Sequence, residues 1–130
     1  MSFGYSNRQL LNWFKLAAVS LLAVTKWFHY RCMVTDPGIV KVKTESNDDD
    51  GSATTVCKKC EAQRPHSQVN HCSYCNHCVD LFDHHCIWVS NCIGLNNFPS
   101  FLGYLHGLFW LTGLHLAVLA FTFETVNKGQ

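Results

Sequence analysis

The stretch from Cys57 to Cys92 decides the fold, and it reads CKKCEAQRPHSQVNHCSYCNHCVDLFDHHCIWVSNC. It holds all but one of the chain's cysteines. Its CxxC pairs are typical of zinc sites, because a tight turn brings two thiolates to one ion at about 2.3 Å while more distant Cys or His residues complete the tetrahedron. One tetrahedral site cannot use so many thiols. The spacing therefore predicts two interleaved zinc sites.

The ligand count leaves one thiol over. Two four-coordinate zinc ions need eight ligands. Two histidines and six cysteines of this stretch supply them, the cysteines being Cys57, Cys60, Cys72, Cys75, Cys78 and Cys92. The remaining cysteine is Cys86. The alternatives to zinc are disulfides or buried free thiols, but a disulfide scaffold is typical of secreted chains and is not expected beside membrane spans.

Cys86 follows Asp83, His84 and His85, so a nucleophile stands beside a base and a carboxylate. A thiol attacks as the thiolate, which a neighbouring histidine or zinc charge favours. An extended backbone would let His84 reach the thiol while Asp83 holds the other imidazole nitrogen, as in a catalytic triad. The alternative is that Asp83 and His84 support a zinc ligand from outside its coordination sphere.

The order of residues from Cys57 to Phe101 resembles the cysteine-rich domain of the DHHC protein S-acyltransferases, the palmitoyltransferases. The matching elements are Cys57-x2-Cys60, Arg64-Pro65, His71-Cys72-x2-Cys75-x2-Cys78, Asp83-His84-His85-Cys86-x-Trp88-Val89-x-Asn91-Cys92-Ile93-Gly94, Asn97 and Phe101. The resemblance implies two structural zinc ions with four ligands each. One set is Cys57, Cys60, His71 and Cys78, and the other is Cys72, Cys75, His85 and Cys92.

The resemblance also implies a two-step reaction at Cys86. The thiolate attacks a long-chain acyl-CoA such as palmitoyl-CoA, and the acyl group then passes to cysteines of substrate proteins. His84 takes or returns the proton, and Asp83 holds the other nitrogen of its imidazole. Trp88 is expected beside the acyl chain or as a plain membrane anchor. The expected partners are the lipid bilayer, acyl-CoA and cytosol-facing proteins. A net charge of +1 gives no general attraction to nucleic acid.

The apolar residues of this 130-residue chain are concentrated at its two ends, and its cysteines and charges in the middle. The range Phe98 to Phe123 contains no Asp, Glu, Lys or Arg and is long enough to cross a bilayer. It contains His106 and His115, which are expected either to pack against a partner helix or to be functional. The C-terminal apolar range therefore predicts a transmembrane helix.

The range Leu10 to Val34 is less uniform, because Lys15 and Lys26 interrupt it. If both ammonium groups extend to the headgroups, the segment spans the membrane; if not, it lies in the interface as an amphipathic helix. We favour the spanning interpretation. The helix is expected to stop at Asp36-Pro37-Gly38, which is a turn signal.

The predicted fold is a membrane protein in which two transmembrane α-helices flank a small cytosolic zinc-binding domain with short β-hairpins. Lysines and arginines between the apolar ranges place that domain in the cytosol. The resemblance implies the endoplasmic reticulum or Golgi. The predicted organisation is a tail at 1–9, a transmembrane helix at 10–34, a turn and flexible linker at 35–56, the cysteine-rich domain at 57–97, a transmembrane helix at 98–123 and a tail at 124–130.

Departures from the family pattern leave a second function open. One extra residue lies between Cys60 and His71, and Ile87 stands where the family usually has proline. The family has at least four spans, so this chain is expected to be a fragment, a truncated product or a subunit that needs a partner. The alternative function is a non-catalytic, membrane-anchored zinc module that binds partner proteins. A RING-like module has similar ligands but fits the spacing poorly.

Overall fold

The computed structural model of the chain describes residues 3–41 and 55–128. Its two helices are α1 (Phe3–Val34) and α2 (Phe98–Lys128). Short strands lie between them: β1 (Ile39–Val40), β2 (Thr55–Val56), β3 (Gln63–Arg64), β4 (Asn70–Cys72), β5 (His77–Val79), β6 (His84–Cys86) and β7 (Asn91–Ile93). The described residues form two compact units, one made of most of both helices and the other of His29–Phe101.

In the helical unit, α1 and α2 lie antiparallel. The rings of Phe14 and Phe121 are 6.3 Å apart near one end of the pair. Towards the other end, Thr25 packs directly on Gly107, and Phe28 packs on Gly103. Glycines four residues apart leave room for the facing helix to approach closely, as small residues do in helix pairs within membranes.

The two helices differ in hydropathy. By length and composition, α2 is apolar enough to cross a membrane, and within the described ranges it is the one helix that meets this criterion. It continues to Lys128, beyond the expected end at Phe123, and α1 begins at Phe3 rather than Leu10. Helix α1 thus begins before, and helix α2 ends after, the predicted apolar range, because no proline stands in either added segment.

The second unit consists of small antiparallel sheets. Strands β1, β5 and β4 form one sheet in that order, while β2–β3 and β6–β7 are separate two-stranded hairpins. The predicted short β-hairpins are confirmed. The buried side chains of this unit are mainly cysteines and a few small or aliphatic residues, among them Ala62, Val69, Val79, Val89 and Ile93. So small an apolar core needs another source of stability.

The turn after α1 joins the helix to the sheet. The Asp36 carboxylate accepts hydrogen bonds of 2.8 Å from the backbone N–H groups of Gly38 and Ile39. Gly38 has a φ of 105°, which a residue with a side chain rarely adopts. The chain then enters β1, which pairs with β5. Both ends of the predicted linker are therefore strands, and its middle, residues 42–54, lies outside the described residues.

Candidate metal clusters and active site

The first cluster of metal-type ligands lies where the β4–β5 hairpin meets the turn after β2. Its members are Cys57, Cys60, His71 and Cys78, whose ligand atoms all lie within 4.8 Å of one another. His71 is directly opposite Cys78 in the hairpin. The Sγ atoms of Cys60 and Cys78 are 3.5 Å apart, and the His71 Nδ1 lies 3.4 Å from the Cys60 Sγ.

The second cluster joins the same hairpin to β6–β7. Its members are Cys72, Cys75, His85 and Cys92, again with all ligand atoms within 4.8 Å. The His85 Nδ1 lies 3.3 Å from the Cys75 Sγ and 3.7 Å from the Cys92 Sγ. The exposed ring of Tyr74 stacks on the His85 imidazole, with centroids 5.0 Å apart and planes inclined by 22°. Tyr74 thus limits the rotation of this imidazole.

The geometry of both clusters fits a tetrahedral metal ion and not a disulfide. All eight cysteines are free, and the 3.5 Å between paired Sγ atoms is far longer than a disulfide bond of about 2.05 Å. Tetrahedral zinc with bonds of about 2.3 Å places two sulfur ligands about 3.8 Å apart. Three thiols and one imidazole are also a usual structural zinc set. The two clusters could hold metal ions, as the sequence predicts.

The thiols within a cluster differ in acidity. Hydrogen bonds from the N–H groups of Lys59 and Cys60 lower the pKa of Cys57 to about 7. Burial, and then the neighbouring thiols, raise the pKa of Cys78 to about 12. In the second cluster, burial raises the pKa of Cys92 well above its usual value. Crowded thiols cannot all ionise unaided, whereas a divalent cation among them would stabilise every thiolate.

Three turns in this unit are built alike. In the two CxxC turns, the residue four after the first cysteine, Glu61 or Asn76, has a φ near 57° and donates its N–H to that cysteine's carbonyl at 2.9 Å. We call this a knuckle turn. The turn after Cys86 also has a left-handed residue four positions on, Ser90 with φ 50°, and the N–H of Val89 donates to the Cys86 carbonyl at 3.3 Å.

Strand β6 separates the two histidines of the DHHC motif. Side chains alternate between the faces of a strand, so His85 points to one side and His84 and Cys86 point to the other. His85 lies directly opposite Cys92, and both belong to the second cluster. Cys86 belongs to neither cluster. The backbone at this point is extended, which is the condition under which the sequence places His84 on the same side as the thiol.

His84 is held from two sides. Its Nδ1 lies 3.3 Å from the Asp83 carboxylate, and both side chains are about half exposed. The ring of Phe101 meets the imidazole edge to face, with centroids 5.3 Å apart at 65°. With Nδ1 turned to a carboxylate, the Nε2 of His84 is the nitrogen left for proton transfer. Cys86 itself is 5% exposed, so its thiol is shielded from bulk solvent.

The loop after Cys86 is apolar and exposed. Ile87 is 71% and Trp88 is 78% exposed, and the Trp88 carbonyl lies 3.1 Å from the Nε2 of His29 in the last turns of α1. Because a carbonyl only accepts, His29 must donate from Nε2. A cleft of about 310 Å³ beside Asp83 is lined by Leu81, Asp83, Gly94, Leu95, Phe98 and Pro99.

The sequence model of the DHHC palmitoyltransferase family matches residues 51–130, which include both clusters and the Asp83–Cys86 motif. The chain belongs to the DHHC palmitoyltransferase family. It is 36% identical over 104 residues to probable protein S-acyltransferase 13 of Arabidopsis thaliana, a match that covers 65% of this chain and 34% of the relative.

Animal members of the DHHC family are similar to the same region. Palmitoyltransferase ZDHHC4 of Bos taurus is 40% identical over 96 residues, covering 68% of this chain and 28% of the relative. Palmitoyltransferase ZDHHC18 of Mus musculus is 30% identical over 146 residues, a match that covers 88% of this chain and 38% of the relative. The chain therefore spans well under half the length of these relatives.

The eight predicted ligand residues thus come together in two groups of four. His84 and Cys86 lie on β6, and Asp83 directly precedes that strand. The sequence did not predict two contacts of the site. One is the stacking of Tyr74 on the His85 imidazole, and the other is the hydrogen bond from His29 to the Trp88 carbonyl. Tyr74 lies within a CxxC turn beside ligands, which is the signal that could have indicated it. His29 and Trp88 lie 59 positions apart in the chain, and no local sequence pattern predicts a contact over that distance.

Proposed function

We propose that this chain carries the catalytic module of a protein S-acyltransferase, with Cys86 as the nucleophile. The observation that carries the proposal is the alternation along β6, where His85 enters the second cluster while His84 and Cys86 face away from it. A cysteine left out of a cluster with complete coordination is free to react. Its neighbours His84 and Asp83 are a base and the carboxylate that orients it.

The reaction has two transfers. The Cys86 thiolate attacks the thioester carbonyl of a long-chain acyl-CoA, a new carbon–sulfur bond forms, and the bond to CoA breaks. The leaving CoA thiolate takes a proton, which protonated His84 supplies from its Nε2. A cysteine thiol of the substrate protein then gives its proton to His84 and attacks the acyl-Cys86 carbonyl. The bond between the acyl carbon and Cys86 breaks, which restores the Cys86 thiolate beside protonated His84.

In this proposal, zinc is structural. Each cluster offers three thiols and one imidazole, so a bound zinc would have four protein ligands and no open position for a substrate. The eight ligands are Cys57, Cys60, His71, Cys78, Cys72, Cys75, His85 and Cys92. When bound, zinc supplies the positive charge that keeps the crowded thiols ionised and holds the hairpins together.

We also propose that both helices span the membrane. α2 meets the length and composition criterion by itself. α1 is more polar, but the contacts of Phe14 with Phe121 and of Thr25 with Gly107 align it along α2. These contacts support a place for α1 beside α2 within the bilayer, with Lys15 and Lys26 extending to the headgroups. The excess of lysine and arginine between the helices favours a cytosolic zinc module. The proposed location, the endoplasmic reticulum or Golgi, rests on family membership alone.

The test is intact mass before and after incubation with palmitoyl-CoA. The proposal expects one palmitoyl adduct, mapped to Cys86 and released by hydroxylamine because it is a thioester. The second candidate is a non-catalytic zinc module that binds partner proteins, with the same two clusters as its metal sites. A chain that binds zinc, keeps its fold and takes up no acyl group would support that candidate and refute ours.

A further inference from the structure

Asn91 connects the β6–β7 hairpin, which carries the DHHC motif, to the carboxyl-terminal end of α1. The last four carbonyls of a helix lack partners within the helix. The Asn91 Nδ2 donates to the Cys32 carbonyl at 2.9 Å, to the Thr35 carbonyl at 3.0 Å and, more weakly, to the Met33 carbonyl at 3.4 Å. One side chain from β7 therefore caps a helix that lies 56 to 59 residues earlier in the chain.

The orientation of this amide is fixed from its other end. The Asn91 Oδ1 accepts a hydrogen bond of 2.9 Å from the Cys92 N–H. The opposite orientation would place the oxygen against three carbonyl oxygens, which only accept. The amide thus uses both its donor and its acceptor, which lie on separate atoms and can therefore face α1 and β7 at the same time.

A second asparagine reinforces the junction. Asn97 is fully buried, donates to the Cys92 carbonyl at 2.8 Å and to the Cys32 carbonyl at 3.4 Å, and accepts from the Gly94 N–H at 2.9 Å. Most of its bonds lie within the loop that follows β7, so it holds the loop itself. Asn91 instead donates to carbonyls of the last turn of α1 and to that of Thr35, the residue directly after the helix.

The position of Asn91 gives this junction a consequence for the reaction. In the β6–β7 hairpin, Asn91 lies directly opposite Cys86. The residue that anchors the hairpin to α1 is therefore the cross-strand partner of the nucleophile. We propose that Asn91 is a positioning residue that fixes the β6–β7 hairpin, and with it Cys86, against the carboxyl-terminal end of α1, so that the thiol is placed for attack on the thioester of an acyl-CoA. This inference rests on the proposed acyltransferase function.

The test uses the full chain in lipid nanodiscs and two reagents that reach Cys86 differently. Palmitoyl-CoA presents its thioester from the bilayer, while iodoacetamide arrives from water. Asn91→Asp replaces the donor by a carboxylate facing helix carbonyls, which is unfavourable at a helix carboxyl terminus. We expect palmitoylation of Cys86 to slow on the order of 10- to 100-fold, because a misplaced reacting atom is costly. Alkylation should stay within about threefold of wild type, because the thiol itself is unchanged.

The matched control is Asn96→Asp, the same substitution at an exposed residue of the adjoining loop, which we expect to change both rates by less than about twofold. Zinc content is measured for each variant. If Asn91→Asp loses zinc, Asn91→Ser is compared instead, since it retains a small donor without the charge; loss of zinc in both variants would make Asn91 a folding residue and overturn the inference.

The remaining outcomes are also decisive. Equal slowing of palmitoylation and alkylation would mean that Asn91 acts on the thiol and not on its position. No slowing of either reaction would leave the contact without a role in catalysis. A wild-type chain that is alkylated at Cys86 but never palmitoylated would overturn the proposed function and this inference together, whereas a palmitoylated wild type with an unaffected Asn91→Asp variant would overturn the inference alone.

Discussion

His84 and His85 are neighbours in sequence, but strand β6 directs them to opposite faces of its hairpin. His85 meets Cys92 and two further cysteines, and His84 meets Asp83 and Phe101. Two adjacent imidazoles of the same chemistry thus have separate surroundings, and a one-residue shift of register would exchange them.

Substitution of each histidine should therefore have a different result. We expect His84→Ala to keep both zinc ions and the fold but to slow Cys86 acylation about 10²- to 10⁴-fold, the usual size of a general-base contribution. His85→Ala should lose metal and destabilise the module. Zinc content by mass spectrometry, beside the rate of acylation, checks both. If His84→Ala released a zinc ion and His85→Ala did not, the assigned roles would be exchanged.

Substitution of a cysteine inside a metal cluster should also have a different result from substitution of Cys86, which lies outside both. Cys86→Ser is expected to abolish the acyl adduct while both zinc ions stay bound, because Cys86 lies in neither cluster. Cys72→Ser removes a ligand from the second cluster and should unfold the zinc module, since its apolar core is small. Native mass spectrometry and circular dichroism measure these effects. Loss of one zinc ion from Cys86→Ser would show that Cys86 is a ligand.

Gly94 is a position where no side chain fits. A Cβ there would lie 2.5 Å from the Val79 Cγ1, 2.6 Å from the Pro37 carbonyl oxygen and 2.8 Å from the Asp80 carbonyl oxygen. Two of these neighbours are backbone, so Gly94→Ala should destabilise the module by about 1–3 kcal/mol. The control is Gly113→Ala in α2, where a Cβ meets nothing within 4 Å and a gain of up to about 1 kcal/mol is expected. Thermal unfolding of both variants measures the difference, and equal shifts would contradict it.

Asp36 stabilises the turn between α1 and β1. Its two hydrogen bonds from backbone N–H groups hold the pKa of the carboxyl below its usual value of 3.8. Asp36→Ala should cost about 1 kcal/mol, the lower end for charged hydrogen bonds because the turn is exposed. Asp36→Asn, which keeps an acceptor oxygen, should cost less.

The pH dependence of that effect follows from the direction of the shift. A lowered pKa in the folded state adds stability above the unfolded pKa and loses it only as the pH falls through the folded value. The difference between wild type and Asp36→Ala should therefore be constant from about pH 5 to pH 8. Denaturant titrations across that range check it, and a difference that shrank toward pH 5 would show that the carboxyl titrates there.

The sequence predicted the local features of the site better than its long-range contacts. CxxC spacing indicated two metal clusters, because each turn by itself brings two thiols together. The pairing of β1 with β5 joins residues such as Ile39 and Val79 that lie far apart in the chain, and a polar intervening segment indicated only a linker. The hydrogen bond from Asn91 to the end of α1 is equally non-local, because no sequence pattern around a single asparagine predicts that it will bind the distant Cys32 carbonyl.

The resemblance among the three turns bears on why Cys86 lies outside both metal clusters. It occupies the place that Cys57 and Cys72 occupy in the knuckle turns, and Val89 stands where each of those turns has its second cysteine. Val89 is 1% exposed, so its isopropyl group fills the spot from which a second sulfur would chelate. The proposed nucleophile thus lies in a turn of the kind that holds metal ligands elsewhere in this unit. With valine and not cysteine at position 89, this turn offers one thiol where each knuckle turn offers two, so it lacks the second sulfur that chelation of a metal ion requires.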